Sequence, residues 1–233
     1  MILKFMLALA SRQSHPYWMH FRQHSGYVSS TQFAAVLGCS SFKSPMSLWR
    51  KKNGKMTATE KKNSTFQSHA MKIGIDYEND TLQECISALN IKYPVKKPGI
   101  IYDLEKGPFS CSPDGMFVNK ETDSLVGIEV KTPQKEVPAF AEDIKPDYLL
   151  QCFTSLHITQ AEHWILFYKA FLTGETACFI IGRNEQVWNR IKKQTTQFLE
   201  LKTEPPRRTK ITKRVTDEIL EDILLGVTWV QMP

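Results

Sequence analysis

At 233 residues the chain is long enough to bury a full hydrophobic core without disulfide or metal staples, and one domain is its simplest organisation. Hydrophobic residues at 42% and charged residues at 23% exclude a disordered or low-complexity chain. The 30 Lys and Arg exceed the 24 Asp and Glu for a formal charge of +6, which suits a polyanionic partner but equally an ordinary soluble surface. Five scattered cysteines (Cys39, Cys85, Cys111, Cys152, Cys178) form no CxxC pair. Their odd number argues against a disulfide framework and for buried thiols in a reducing compartment. The six histidines show no ligand spacing beside a cysteine pair, so structural zinc is not expected. No stretch approaches the ~20 apolar residues of a membrane span.

In chain order, Met1 to Ser11 (MILKFMLALAS) reads either as a short signal-type core before a small-residue cleavage site or as a first helix docking on the domain. Ser29 or Ser30 caps a short helix through Gln32 to Leu37, stopped by Gly38. Ser44-Pro45 starts a second helix through Leu48 and Trp49. Residues 50–64 carry little apolar content and predict a solvated loop. A longer helix is expected from about Thr65 to Leu89, with Phe66, Ala70, Ile73, Tyr77, Leu82, Ile86 and Leu89 at mostly three- and four-residue spacings.

The period then changes. Ile100 and Tyr102, a turn at Lys106-Gly107-Pro108, Gly115 to Val118, and Leu125 to Val130 read as short strands, with Asn119 to Ser124 closing a hairpin. Pro146 opens a helix through Leu149, Leu150, Phe153 and Leu156. Strands over Trp164 to Phe171 and Ala177 to Ile181 flank Thr173-Gly174. A closing helix spans about Asn184 to Leu201, with Val187, Trp188, Ile191 and Phe198 on one face. A basic tail (RRTKITKR) follows Pro205-Pro206 and ends in an amphipathic segment, Val215 to Leu225. This order predicts a mixed α/β or α+β layer fold in a single domain over 1–233, its core at about 17–201 and its tail at 202–233. Trp164, Phe167 and Phe171 are read as core strand residues rather than base-stacking platforms.

The informative stretch is Ser110 to Pro133, SCSPDGMFVNKETDSLVGIEVKTP. Alternation on a strand puts Glu129 and Lys131 on one face, with Val130 turned the other way. Asp114, fixed by the tight turn Pro113-Asp114-Gly115, can reach that face. Two carboxylates joined in space bind a hard cation through oxygen, and the Val130 carbonyl can add a ligand. The Lys131 ammonium can hold and help deprotonate a water, or stabilise charge building on phosphoryl oxygens. By itself Asp, a gap, then Glu-x-Lys is a loose pattern. Its setting sharpens it: Glu129 and Lys131 lie in an otherwise apolar strand, where unpaired charges are costly. A third carboxylate, Glu78, sits on the long helix upstream.

These segments resemble the phage lambda-type alkaline exonucleases, the viral-recombinase branch of the PD-(D/E)xK nuclease superfamily. The match is carried by Gly74 with YEND (77–80), CSPDG (111–115), EVKTP (129–133) and YLLQ (148–151), in order and at similar gaps. Trp18, Arg22 and Ser29-Ser30-Thr31 extend it toward the N-terminus, so that it covers about Tyr17 to Arg190. The resemblance implies a restriction-endonuclease-like α/β (α+β) core, a central mixed sheet flanked by helices. It implies metal-binding carboxylates at Asp114 and Glu129, an assisting carbonyl at Val130 and a catalytic lysine at Lys131. Glu78 would support the metal and water shell and Gln151 would brace the catalytic groups, with Tyr148 a packing residue with a wet hydroxyl. Arg22, the hydroxyls of Ser29, Ser30 and Thr31, and Ser112 would form a pocket for a terminal 5′-phosphate.

One departure stands out. Where the family has an arginine shortly after its Glu-x-Lys strand, this chain has Val137. Lys135, or the basic run Arg50-Lys51-Lys52, would have to substitute, as point charges in the lysine case. The reading is a Mg2+-dependent 5′-to-3′ exonuclease of double-stranded DNA, with Mn2+ as an alternative cofactor. It would serve phage or viral recombination, repair or DNA processing. By the same resemblance it would be a homotrimer working with a single-strand annealing protein, away from membranes. Its compartment would be the host cytoplasm or nucleus for a virus, and the cytoplasm for a bacterium or phage. The alternatives are a structure-selective endonuclease of the same superfamily and a non-catalytic DNA-binding recombination module. The intact Asp, Glu and Lys argue against the last.

Overall fold

Alternation and turn signals resolve into two sheets and the helices that cover them in a computed structural model, which describes residues 6–9, 26–65, 69–103, 107–206 and 210–232. The larger sheet comprises β5 (Gly115–Asn119), β6 (Ser124–Lys131), β7 (His163–Lys169), β8 (Thr176–Gly182) and β9 (Val227–Val230), in that spatial order. Only β6 and β7 run parallel; the other neighbours are antiparallel. A parallel pair needs a crossover, and α5 (Pro146–Thr159) lies in it. The smaller sheet has the order β1 (Met6–Leu9), β3 (Ile100–Asp103), β4 (Phe109–Cys111), β2 (Val28–Ser29).

The larger sheet is covered on both faces, which is why Val126 to Val130 are all buried on β6. Val126, Ile128 and Val130 pack with Ile165 and Phe167 against Leu82 and Cys85 of α4 (His69–Ala88). On the opposite face Trp164, Leu166 and Tyr168 meet Leu149, Leu150 and Phe153 of α5. That core continues through Phe33 of α1 (Phe33–Leu37), Trp188 and Ile191 of α6 (Glu185–Leu199), and Ile219 and Ile223 of α7 (Lys210–Leu224). The result is a helix–sheet–helix layering. All five cysteines are free, and Cys85, Cys111, Cys152 and Cys178 are buried. Among the described residues no helix is long and apolar enough to cross a membrane.

Local signals explain the boundaries. Gly38 ends α1 at φ +75°, a left-handed conformation that glycine adopts without a Cβ penalty. Ser44 Oγ accepts the Ser47 N–H at 3.1 Å at the start of α2 (Pro45–Lys52), and Asn184 Oδ1 accepts the Val187 N–H at 3.2 Å at the start of α6. Turn 120–123 closes the hairpin that pairs Asn119 with Ser124.

Four expectations are corrected. Residues 50–64 are not a loop: α2 runs to Lys52, and α3 covers Ala58–Thr65. Thr57 and Glu60 form a reciprocal capping box, the Thr57 N–H reaching Glu60 Oε2 at 2.8 Å and the Glu60 N–H reaching Thr57 Oγ1 at 3.2 Å. That cap starts a helix with scarcely any apolar face. Within the segment Met1 to Ser11, Met6–Leu9 forms a strand rather than a docking helix, antiparallel to β3 with Met6 opposite Asp103, and the rest of that segment lies outside the described residues. Phe171 lies beyond β7, 39% exposed, and leans on Tyr77 with ring centroids 4.8 Å apart. The segment read as a tail contains α7, whose Ile219 and Ile223 enter the core, and β9, which pairs with β8 from Val227↔Ile181 to Val230↔Cys178.

Candidate active site

The chemistry-bearing side chains converge where β6 ends. Glu129 and Lys131 share the face of β6 that looks at α5, while Val130 turns to the α4 side and packs there with Phe167. Asp114 stands at the entrance to β5, and its Oδ2 accepts the Val130 N–H at 2.9 Å, which ties the turn to β6. From α5, Gln151 donates through Nε2 to Glu129 Oε1 at 2.6 Å and accepts through Oε1 from Lys131 Nζ at 3.2 Å. A carboxamide offers a donor at one end and an acceptor at the other, so it can brace an anion and a cation together. Lys131 Nζ also donates to Glu129 Oε1 at 2.5 Å and lies 4.8 Å from the centre of the Tyr148 ring.

Asp114 and Glu129 are both buried, at 7% and 3% exposure. Burial, then the charges of Glu129 and Glu78, hold the Asp114 carboxyl well above its ordinary range, against Lys131 and the Val130 N–H. Glu129 is pushed up by burial, against the opposing pull of Lys131. Burial works to lower Lys131, but Glu129 and Asp114 outweigh it and keep the ammonium protonated. Two desolvated carboxylates with hard oxygen donors suit a divalent cation, which would offset their burial and the repulsion that Glu129 exerts on Asp114. Glu78, on α4, contributes to the same field, but its Oε1 accepts Lys97 Nζ at 2.9 Å.

A cleft of about 1010 Å³ opens over these groups. Its walls include Glu78, Asp114, Glu129, Val130, Lys131 and Gln151. Ser29, Ser30, Thr31 and Ser112 stand in the same cleft. The parallel pairing of β2 with β4 sets Ser29 opposite Ser110, and Ser29 Oγ lies 3.1 Å from Thr31 Oγ1. The structure does not bring Lys135 into this wall: it is exposed, and its carbonyl accepts from Thr173 Oγ1 at 3.1 Å. Arg50 is engaged elsewhere, with Glu204 at 2.8 Å, and Lys52 Nζ donates to the Tyr27 carbonyl. Val137 does stand in the wall, where the resemblance places an arginine. Arg22 lies outside the described residues.

Sequence reasoning missed several lining residues. Lys145, just before α5, brings a cation to the cleft, with Nζ 5.9 Å from the Tyr148 ring centre. Its position three residues before Tyr148 was the available signal. Phe42 was also missed; it is 63% exposed at the rim, and its loop is anchored by Ser40 Oγ to Asp147 Oδ1 at 2.5 Å and by the Ser41 N–H to Asp147 Oδ2 at 2.8 Å.

A mixed sheet flanked by helices, with a Pro-Asp turn beside a Glu-x-Lys strand, is the PD-(D/E)xK nuclease fold. Solved structures bear this out. An alkaline exonuclease from Laribacter hongkongensis matches with a TM-score of 0.59 at 16% identity, over 89% of this chain and 99% of that one. Its complex with dAMP matches at 0.60 and 16% identity, over 88% and 94% of the two chains. A phage-related exonuclease from Haemophilus somnus 129PT matches at 0.50 and 14% identity, over 83% and 96%. The chain belongs to the YqaJ-like viral recombinase domain family, whose model matches residues 17–162. No curated protein matches it significantly by sequence.

Proposed function

We propose that this chain is a single-domain, Mg2+-dependent exonuclease that hydrolyses double-stranded DNA from its 5′ ends in recombination or DNA processing. The observation that carries the reading is the convergence of Asp114, Glu129, Lys131 and Gln151 in one cleft. Asp114 and Glu129, aided by the Val130 carbonyl and Glu78, would hold Mg2+ or Mn2+, supplying Lewis acidity toward water and the phosphoryl group. Lys131, kept protonated at Nζ, donates a charge-assisted hydrogen bond to a phosphoryl oxygen or holds the attacking water. Gln151 fixes Glu129 and Lys131 relative to each other, so that neither side chain must reorganise when substrate enters. Ser29, Ser30, Thr31 and Ser112 offer hydroxyl donors to a terminal 5′-phosphate, with Arg22 as the cation that the same reading assigns there. Lys145, rather than Lys135, supplies a supplementary point charge.

The family's homotrimeric ring, an annealing partner and a reducing cellular compartment belong to the same reading. The buried free thiols support the last.

The test is digestion of linear duplex DNA labelled at either end, with and without Mg2+, beside supercoiled circular DNA. Mg2+-dependent shortening from 5′ ends is expected, with the circle spared. Lys131→Ala should abolish hydrolysis while most DNA affinity remains, because binding rests on distributed phosphate contacts. Undiminished cleavage by that variant would remove Lys131 from the chemistry. A circle cut as fast as linear DNA is shortened would make the protein an endonuclease.

A further inference from the structure

The proposed reaction does not use Lys97, although Lys97 touches a residue that it does use. After α4 the chain returns along the edge of β5, where Lys96 and Met116 exchange both backbone hydrogen bonds at 2.8 Å. Pro98 then restricts Lys97 to extended backbone. This double constraint sets Lys97 beside α4. Its Nζ donates to Glu78 Oε1 at 2.9 Å and to Asn79 Oδ1 at 2.6 Å, acceptors on consecutive helix positions.

Glu78 therefore stands between Lys97 and the cleft. It is part of the cleft wall, and its charge is felt by both Asp114 and Glu129. Yet among the described residues no three His, Cys, Asp or Glu side chains gather closely enough to form a ready cation site. The ion pair is open to solvent, with Lys97 41% and Glu78 22% exposed, so it is screened and readily exchanged.

We propose that Lys97 is a positioning residue that holds the Glu78 carboxylate at the edge of the cleft and weakens the cleft's hold on a divalent cation. The inference rests on reading Asp114 and Glu129 as cation ligands. Glu78 then exchanges between two partners: Lys97 in the free protein, and a cation at Asp114 and Glu129 when one binds. Lys97 acts in two ways in the same direction, by competing for the carboxylate and by adding a like charge to the approaching cation.

The experiment is calorimetric titration of the full chain with Mn2+ alone, without DNA, so that turnover plays no part. Lys97→Met is expected to bind Mn2+ about three- to fivefold tighter than the wild type, the scale of an exposed ion pair. Lys97→Arg keeps the charge and a donor and should stay near the wild-type affinity. Combined with Glu78→Gln, Lys97→Met should lose most of its effect, since the carboxylate it liberates is gone. Equal or weaker binding by Lys97→Met overturns the inference, as does an effect that persists in full with Glu78→Gln. Wild-type protein that binds no Mn2+ at millimolar concentration removes the cation-site reading, and this inference with it. Wild-type binding that is insensitive to Lys97 removes the inference alone.

Discussion

Glu129 Oε1 accepts from both Lys131 and Gln151, so a single buried oxygen organises three side chains from a strand and a helix. Elsewhere a half-buried charge has no carboxylate partner among the described residues. Lys52 Nζ has the Tyr27 carbonyl as its acceptor, and burial, then the neighbouring Lys51, lowers its pKa to about 8 from the ordinary lysine value of 10.5. The unfolded chain therefore binds the extra proton between those values, so the Lys52 contribution to stability rises with pH across that window, against the buried Cys85, Cys111 and Cys178 thiols, whose burial pushes them up and whose contributions fall. Below about pH 8 the charged Lys52 penalises the fold in full; above pH 10.5 the penalty is gone. The stability gained by Lys52→Met over the wild type should therefore be larger at pH 7.5 than at pH 10.5. Denaturant unfolding of both proteins at pH 7.5 and pH 10.5 checks this, and parallel curves would show that burial does not perturb Lys52.

At the scale of elements, β6 carries the site from inside the sheet, between β5 and β7, and its fit to β7 is close. A Cβ on Gly127 would lie 2.2 Å from two carbons of the Trp164 ring, so the indole of β7 occupies the space that a side chain would need. Gly127→Ala should cost about 1–3 kcal/mol by overpacking. That corresponds to a fall in Tm of roughly 2–4 °C for each kcal/mol at this chain length. Thermal unfolding reads it directly, and an unchanged Tm would mean that the two strands separate freely. Most elements were legible because their signals are local: Ser44-Pro45, Gly38, Asn184 and the alternation in LVGIEVK each act within a few residues. The capping box Thr57-x-x-Glu60 is equally local, but the helix it starts carries no apolar periodicity to mark it. A cap can start a helix that has no buried face.

Across the whole molecule, α7 and β9 show how far the fold extends. Ile223 is 1% exposed within the same core as Trp164, Phe153 and Trp188, although it stands far along the chain from each. Ile223→Ala should cost about 2–5 kcal/mol, as deletion of buried aliphatic volume does. The loss should appear in one cooperative transition that also unfolds the β6–β7 region, followed by hydrogen exchange. Early loss of α7 alone would instead mark it as a separable appendage.

What the sequence determined unaided was most of the elements and a candidate set of chemical groups. Caps, turns and alternation are short-range, and Asp114, Glu129, Lys131 and Gln151 sit in motifs a few residues long. Tertiary structure decided who meets whom. That Lys97 holds Glu78, that Lys145 rather than Lys135 faces the cleft, and that β9 completes the larger sheet all depend on chain segments brought together from a distance. A charge on the surface of a strand or loop has many partners of equal propensity. Only the packing of the layers selects one.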